Sequence, residues 1–151
     1  MASSPASELQ GNTVTAISLA TASNATSSVT APGVFAGLSV LGGSVNIGTT
    51  TGNTIGSVSG TGAISVTSTV TGSVTDGIYA TSTGTIAVQN NNVGGITAAN
   101  TATATIGFVV RGIDTWGVGG IVTLGGNTIG STTVANSIQV VRNSFPSCAP
   151  V

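Results

Sequence analysis

The chain has 151 residues and a formal net charge of −1, and charged and aromatic side chains each make up only 3% of it. This length provides one domain with a core of its own and is too short to expect two. Two basic residues cannot form the positive surface that nucleic acids or anionic membranes require, so neither is an expected partner.

The remaining composition predicts an all-β chain. Threonine, serine, glycine, alanine, valine and asparagine dominate the sequence, and among these the β-branched residues favour strands while glycine and asparagine favour turns. No apolar run approaches the ~20 residues of a membrane-spanning helix. Residues 1–10 lack the basic and apolar regions of a signal peptide, so an export signal would have to lie outside this chain.

Along the chain, a leader at residues 1–10 precedes a repeat domain at residues 11–143 and a tail at residues 144–151. The repeat is clearest in GNTIGS, which occurs at 52–57 and again at 126–131. Aligning these copies with GNTV at 11–14 and NNNVGG at 90–95 produces two columns. The first contains Asn12, Asn53, Asn91 and Asn127, and the second contains Val14, Ile55, Val93 and Ile129.

Each unit contains two further elements in a constant order. A V-x-x-G element occurs as VFAG at 34–37, VTDG at 74–77 and VVRG at 109–112, and VVRN at 140–143 is aligned with them. We interpret each glycine as a turn residue followed by an inward aliphatic side chain. Next comes a V-x-I alternation at 45–47, 86–88 and 122–124, which indicates a strand with one buried face.

A unit of about 36–41 residues built from short strands and turns cannot bury its own apolar side, whereas stacked units can. We therefore predict a right-handed parallel β-helix, or β-solenoid, of about three full coils. Equivalent residues would lie about 4.8 Å apart in successive coils. An antiparallel β-sandwich is the second fold compatible with short strands, but it gives no reason for the asparagine column.

The cadence GI…I-x-V…NN-x-I-G, over about residues 11–143, resembles the right-handed parallel β-helix repeats of bacterial secreted and cell-surface proteins, both adhesin-like and autotransporter-passenger-like. This resemblance implies an extracellular or cell-surface location. Pectate-lyase-like enzymes share the architecture, but they need clustered acidic residues, and this chain has three in all. Asp76 and Asp114 fall in different columns, so we predict no catalytic residue, no metal site and no cofactor.

Three groups of side chains are candidate sites. The asparagine column is expected to form a structural ladder, because each amide can both donate and accept. The column before the glycine, Ala36, Asp76, Arg111 and Arg142, predicts an ion pair between Asp76 and Arg111 on adjacent coils, which would contribute roughly 0–1 kcal/mol. Tyr79 and Trp116 fall in one region of neighbouring coils, where aromatic rings either contact a glycan or pack within the protein.

These observations favour a non-catalytic structural or adhesive scaffold from an exported protein. Its expected partners are a glycan or another surface ligand, and further copies of the chain stacked end to end as oligomers or filaments. Two other functions remain open, namely ice binding and the binding or processing of carbohydrate. An ice-binding face would need threonine pairs at one offset in every coil, whereas the Thr67/Thr69, Thr81/Thr83 and Thr103/Thr105 pairs occur at different offsets.

Overall fold

The computed structural model describes residues 5–101, 107–117, 120–131 and 133–142, and within these ranges the regular structure consists of strands. None of the described residues forms a helix that could cross a membrane. The strands are β1 (Ser7–Leu9), β2 (Thr13–Val14), β3 (Ile17–Thr21), β4 (Phe35–Val40), β5 (Val45–Ile47), β6 (Thr54–Gly56), β7 (Ile64–Ser68), β8 (Val74–Ser82), β9 (Ile86–Gln89), β10 (Asn92–Gly94), β11 (Ile96–Asn100), β12 (Val109–Gly117), β13 (Val122–Gly125), β14 (Thr128–Ile129) and β15 (Ile138–Arg142).

The strands form four parallel sheets that run along the stack. Their orders are β1-β5-β9-β13, β2-β6-β10-β14, β3-β7-β11-β15 and β4-β8-β12. Each strand pairs with the strand four places later in the chain, so β1–β4, β5–β8 and β9–β12 are successive coils and β13–β15 begin another. The predicted all-β parallel β-helix of about three turns is therefore confirmed.

Alternating burial explains why such short segments become strands. In β5 the side chains of Val45 and Ile47 are buried and Asn46 between them is half-buried, and β7 repeats this pattern with Ile64 and Val66 inside. The buried aliphatic side chains of successive coils form one continuous core. A single coil on its own has no such core, so the stacking of coils provides most of the apolar burial that stabilises the chain.

One boundary and one column differ from those predicted. Strand β1 lies within the expected leader and pairs with β5, so the solenoid begins before residue 11. Its segment Ser-Glu-Leu lacks the V-x-I pattern because Ser7 occupies the column of Val45, and only Leu9 adds an apolar side chain to the core. Of the VVRN segment, residues 140–142 pair with β11, which places Arg142 opposite Asn100 and outside the column of Asp76 and Arg111. The tail at 144–151, including Cys148, lies outside the described residues.

The V-x-x-G glycines are not turn residues. Gly37, Gly77 and Gly112 lie inside β4, β8 and β12. A Cβ atom on each would lie only 2.4 Å from Ile55 Cγ2, 2.4 Å from Val93 Cγ1 and 2.5 Å from Ile129 Cγ2, respectively. Glycine recurs there because the fourth sheet packs closely against the aliphatic column across the coil.

Candidate functional site

The asparagine column forms a hydrogen-bonded ladder inside the solenoid. The backbone N–H and the side-chain amide of Asn12 both donate to Oδ1 of Asn53, at 2.8 and 2.9 Å. Asn53 makes the same two bonds to Asn91, at 3.0 and 2.8 Å, and Asn91 makes them to Asn127, both at 3.0 Å. Each asparagine therefore donates two hydrogen bonds to a single side-chain oxygen in the next coil.

A second set of hydrogen bonds joins the side-chain amides to nearby backbone carbonyls. Nδ2 of Asn53 donates to the carbonyl of Leu9, and Nδ2 of Asn91 donates to the carbonyls of Ile47 and Gln89. Asn53 and Asn91 are fully buried, and their donors and acceptors are all used within the protein. These two interior asparagines therefore serve structure and leave no polar group for a ligand.

The aliphatic column lies beside the ladder in the same register. Val14 pairs with Ile55, Ile55 with Val93 and Val93 with Ile129. Ile55 and Val93 are fully buried, whereas the Ile129 side chain in the last coil is 55% exposed.

The fourth sheet carries three charged side chains, those of Asp76, Arg111 and Asp114. Asp76 and Arg111 do occupy paired positions on β8 and β12, but the expected ion pair is not formed. Nη1 of Arg111 instead donates to Oδ2 of Asp114 at 2.6 Å. The strand pairing skips Gly112, and this break brings side chains three residues apart to one side of β12, where a regular strand would separate them.

Asp76 accepts hydrogen bonds from a segment that shows no repeat pattern. Residues 22–34, which we call the strap, connect β3 to β4 and run along the outer face of β8. The hydroxyl of Ser27 and the backbone N–H of Gly33 both donate to Oδ2 of Asp76, the latter at 3.1 Å. Oδ1 of Asp76 is buried without a hydrogen-bond partner among the described residues.

Burial raises the pKa of the Asp76 carboxyl above its ordinary value, and the negative charge of Asp114 adds to this effect. The hydrogen bonds from Ser27 and Gly33 and the positive charge of Arg111 act in the opposite direction without cancelling it. The Asp76 carboxyl therefore gains a proton more readily than a solvated aspartate does.

The strap also covers Tyr79, which is fully buried. Its hydroxyl donates to the carbonyl of Ser28 at 2.5 Å, and the hydroxyl of Thr81 donates to the carbonyl of Val29 at 2.8 Å. Burial raises the pKa of the Tyr79 hydroxyl. The expected glycan contact at Tyr79 is thus not available while the strap is in place.

Trp116 does not pair with Tyr79 in the sheet, because its partner on β8 is Thr81. It is half-buried, and its Nε1 has no hydrogen-bond partner among the described residues. Trp116 and Asp114 lie two residues apart on one face of β12, with Arg111 bonded to Asp114. Arg111, Asp114 and Trp116 form what we call the outer patch, which the sequence alone did not group.

Shallow depressions lie elsewhere on the surface of the described residues. One, of about 410 Å³, is lined by Val29, Thr30, Leu41, Gly42, Thr81, Ser82 and Thr83, at the edge of the strap. Another, of about 340 Å³, lies at the last coil. The described residues contain no group of three histidine, cysteine, aspartate or glutamate side chains that could hold a metal ion.

The threonine pairs do not build a regular array. Thr67 pairs with Ala20 on one side and with Ala99 on the other, so its column contains one threonine in these three coils. Thr81 is buried beneath the strap, and Thr103 and Thr105 lie outside the described residues.

Comparisons with protein-family models, with curated proteins and with solved structures give no match to the chain.

Proposed function

We propose that the chain is a non-catalytic β-solenoid module of an exported, cell-surface protein, in which it serves as a rigid scaffold. The single observation that carries this proposal is the buried asparagine ladder. It joins every described coil to the next by the same paired hydrogen bonds, in addition to the main-chain bonds of the sheets. Such a stack gains about 4.8 Å of length per coil and resists extension along its axis.

The hydrogen bonds of the two aspartates on the fourth sheet also support a structural role. Asp76 holds the strap through Ser27 and Gly33, and Asp114 is bonded to Arg111. A glycosidase needs one carboxyl to transfer a proton and another to act as base or nucleophile across a bound sugar. The cadence of glycine, asparagine and β-branched residues, which resembles that of secreted β-helix repeats, supports the cell-surface location.

Single-molecule pulling from the two chain ends tests the scaffold role. A coil of about 36–41 residues should release about 12–14 nm of chain when it unfolds, at ~3.4 Å per residue. We expect repeated extension steps of this size, because each coil is bound mainly to its neighbours. A polysaccharide hydrolase or lyase activity that Asp114→Asn abolishes would contradict the proposal.

We also propose an adhesive role for the outer patch, favoured by the half-buried Trp116 beside a charged hydrogen-bonding pair. A sugar ring can stack on an indole while its hydroxyls bond to a carboxylate or guanidinium. On a glycan array, Trp116→Ala should abolish any binding shown by the unmodified chain. Ser82→Ala is the control and should leave binding unchanged, because Ser82 bonds to the carbonyl of Gly43 rather than to the strap. Binding that survives Trp116→Ala would remove the outer patch from consideration, and thermal hysteresis would instead favour ice binding.

A further inference from the structure

The asparagine ladder has a direction along the stack. In every step the asparagine of the earlier coil donates, and Oδ1 of the later coil accepts. At the first coil, Oδ1 of Asn12 accepts no hydrogen bond from the described residues. At the last coil, Asn127 uses its amide to donate to the Val88 carbonyl at 2.7 Å, and its backbone N–H has no acceptor among the described residues. The two ends of the ladder are therefore complementary.

The apolar columns show the same complementarity. Leu124 and Ile129 are each 55% exposed in the last coil, although Val88 and Val93, at the same positions one coil earlier, are fully buried. These two exposed side chains line the depression of about 340 Å³ together with Ile113, Gly125, Gly126 and Asn127. At the first coil, Leu9 and Val14 occupy the same two columns and are only half-buried.

We propose that strands β13–β15 of one copy bind strands β1–β3 of a second copy in the register of an internal coil. The Asn127 backbone N–H and side-chain amide then donate to Oδ1 of Asn12 in the second copy, which continues the ladder. Leu9 and Val14 of the second copy cover Leu124 and Ile129. The proposal rests on the scaffold role above and specifies the partner of its end surfaces.

The contact uses a different surface on each copy and adds each copy along the axis of the stack, so it does not close and repeated addition produces a filament. Glu8 of the second copy meets Thr123, as the columns of the first sheet require, so no like charges oppose each other there. The fourth sheet ends one coil earlier, at β12. The interface therefore consists of three of the four sheets, with exposed strand edges on both sides.

Disulfide trapping tests this register directly. Thr13, Thr54, Asn92 and Thr128 form one outward column, and paired positions lie about 4.8 Å apart, within the range that a disulfide spans. Thr13→Cys with Thr128→Cys, in a Cys148→Ser background, should give a ladder of disulfide-linked multimers on oxidation at micromolar concentration. Thr13→Cys with Thr54→Cys is the matched control, because these positions pair within one copy and should yield a cross-linked monomer.

Charge variants at the same column provide a second measurement. Sedimentation velocity should show weaker association, by severalfold, when both Thr13 and Thr128 are changed to lysine, because like charges then face each other across the interface. Thr13→Lys with Thr128→Glu should restore association, and added salt should reduce the difference between the two variants. Formation of the Thr13–Thr54 cross-link in the control shows that substitutions at this column leave the coil folded.

Three outcomes overturn the inference. One is a monomeric chain without intermolecular cross-links, and another is association whose strength is the same in the wild type and in both charge variants. The third is a monomer that associates only after residues 144–151 are removed, since those residues would then cover the end. Each outcome leaves the scaffold role standing if pulling still shows coil-sized steps, whereas an Asp114-dependent activity would remove the scaffold role and leave the filament intact.

Discussion

Asn53 donates to Oδ1 of Asn91 through both its backbone N–H and its side-chain amide, at 3.0 and 2.8 Å, and both residues are fully buried. Main-chain pairing between parallel strands does not provide such a two-donor contact. The pair therefore joins the second and third coils at a corner where the β5–β6 and β9–β10 connections interrupt the sheets.

Replacing Asn91 by leucine should destabilise the solenoid by on the order of 3 kcal/mol, because two buried donors of Asn53 lose their acceptor and each unpaired buried group costs ~1–3 kcal/mol. Chemical denaturation measures the change in the free energy of unfolding. The matched control is Asn92→Leu, since Asn92 points outward and is half-buried, and its replacement should cost less than about 1 kcal/mol. Equal losses in the two variants would contradict a special role for the ladder.

Gly77→Ala should destabilise the protein by at least about 2 kcal/mol, because the new Cβ would lie 2.4 Å from Val93 Cγ1 and 2.5 Å from the Gly112 carbonyl oxygen. The carbonyl belongs to the backbone and cannot rotate away. Gly125→Ala is the control, since its nearest atom would be Gln89 Nε2 at 3.8 Å, and thermal melting should show little change. Adding Val93→Ala to Gly77→Ala should recover only part of the loss, because the clash with the carbonyl remains.

The sequence predicted the stacked columns because each coil must repeat the same residues at the same corner. A buried amide needs hydrogen-bond partners, and here another amide one coil away provides them, so Asn53 and Asn91 recur at the repeat interval. The same logic located the aliphatic column of Ile55 and Val93. It could not distinguish a glycine in a turn from Gly77 in a strand, because the reason for that glycine is a contact across the coil.

The outer face could not be predicted in this way. The strap shows no repeat, so nothing in its sequence indicates that Ser27 and Gly33 reach Asp76, or that Ser28 covers Tyr79. Column alignment correctly paired the positions of Asp76 and Arg111, but the skipped pairing at Gly112 turned Arg111 toward Asp114. Such local breaks depend on packing and leave no periodic signal.

Tyr79→Phe should loosen the strap and leave the coils intact. The substitution removes the hydrogen bond from the Tyr79 hydroxyl to the Ser28 carbonyl and keeps the buried ring. A neutral hydrogen bond contributes about 1 kcal/mol, so proteinase K should cleave within residues 22–34 about fivefold faster. Thr81→Val removes the neighbouring bond to Val29 and should act in the same direction.

The control for strap opening is a substitution on the same strand that makes no strap contact. Ser82 bonds to the carbonyl of Gly43 rather than to the strap, so Ser82→Ala should leave the cleavage rate within the strap unchanged. If Tyr79→Phe accelerated cleavage throughout the chain, the hydroxyl would be supporting the whole fold instead of the strap.

Raising the pH should weaken the protein through Asp76. Burial raises the pKa of this carboxyl in the folded state above its ordinary value of 3.8, so the folded chain holds the proton more tightly than the unfolded chain. The resulting stabilisation is complete below the unfolded pKa and is lost as the pH rises through the folded pKa. Asp76→Asn should remove this dependence, because its amide oxygen can accept from Ser27 and Gly33 while its Nδ2 takes the position of the unpartnered Oδ1.

Thermal melting from about pH 4 to about pH 8 should therefore show the wild type losing stability relative to Asp76→Asn. Ser27→Ala removes a hydrogen bond that favours the ionised form of Asp76, and should make the loss of stability at high pH larger than in the wild type. A wild-type curve that instead gained stability relative to Asp76→Asn as the pH rose would mean that Arg111 and the strap donors outweigh burial.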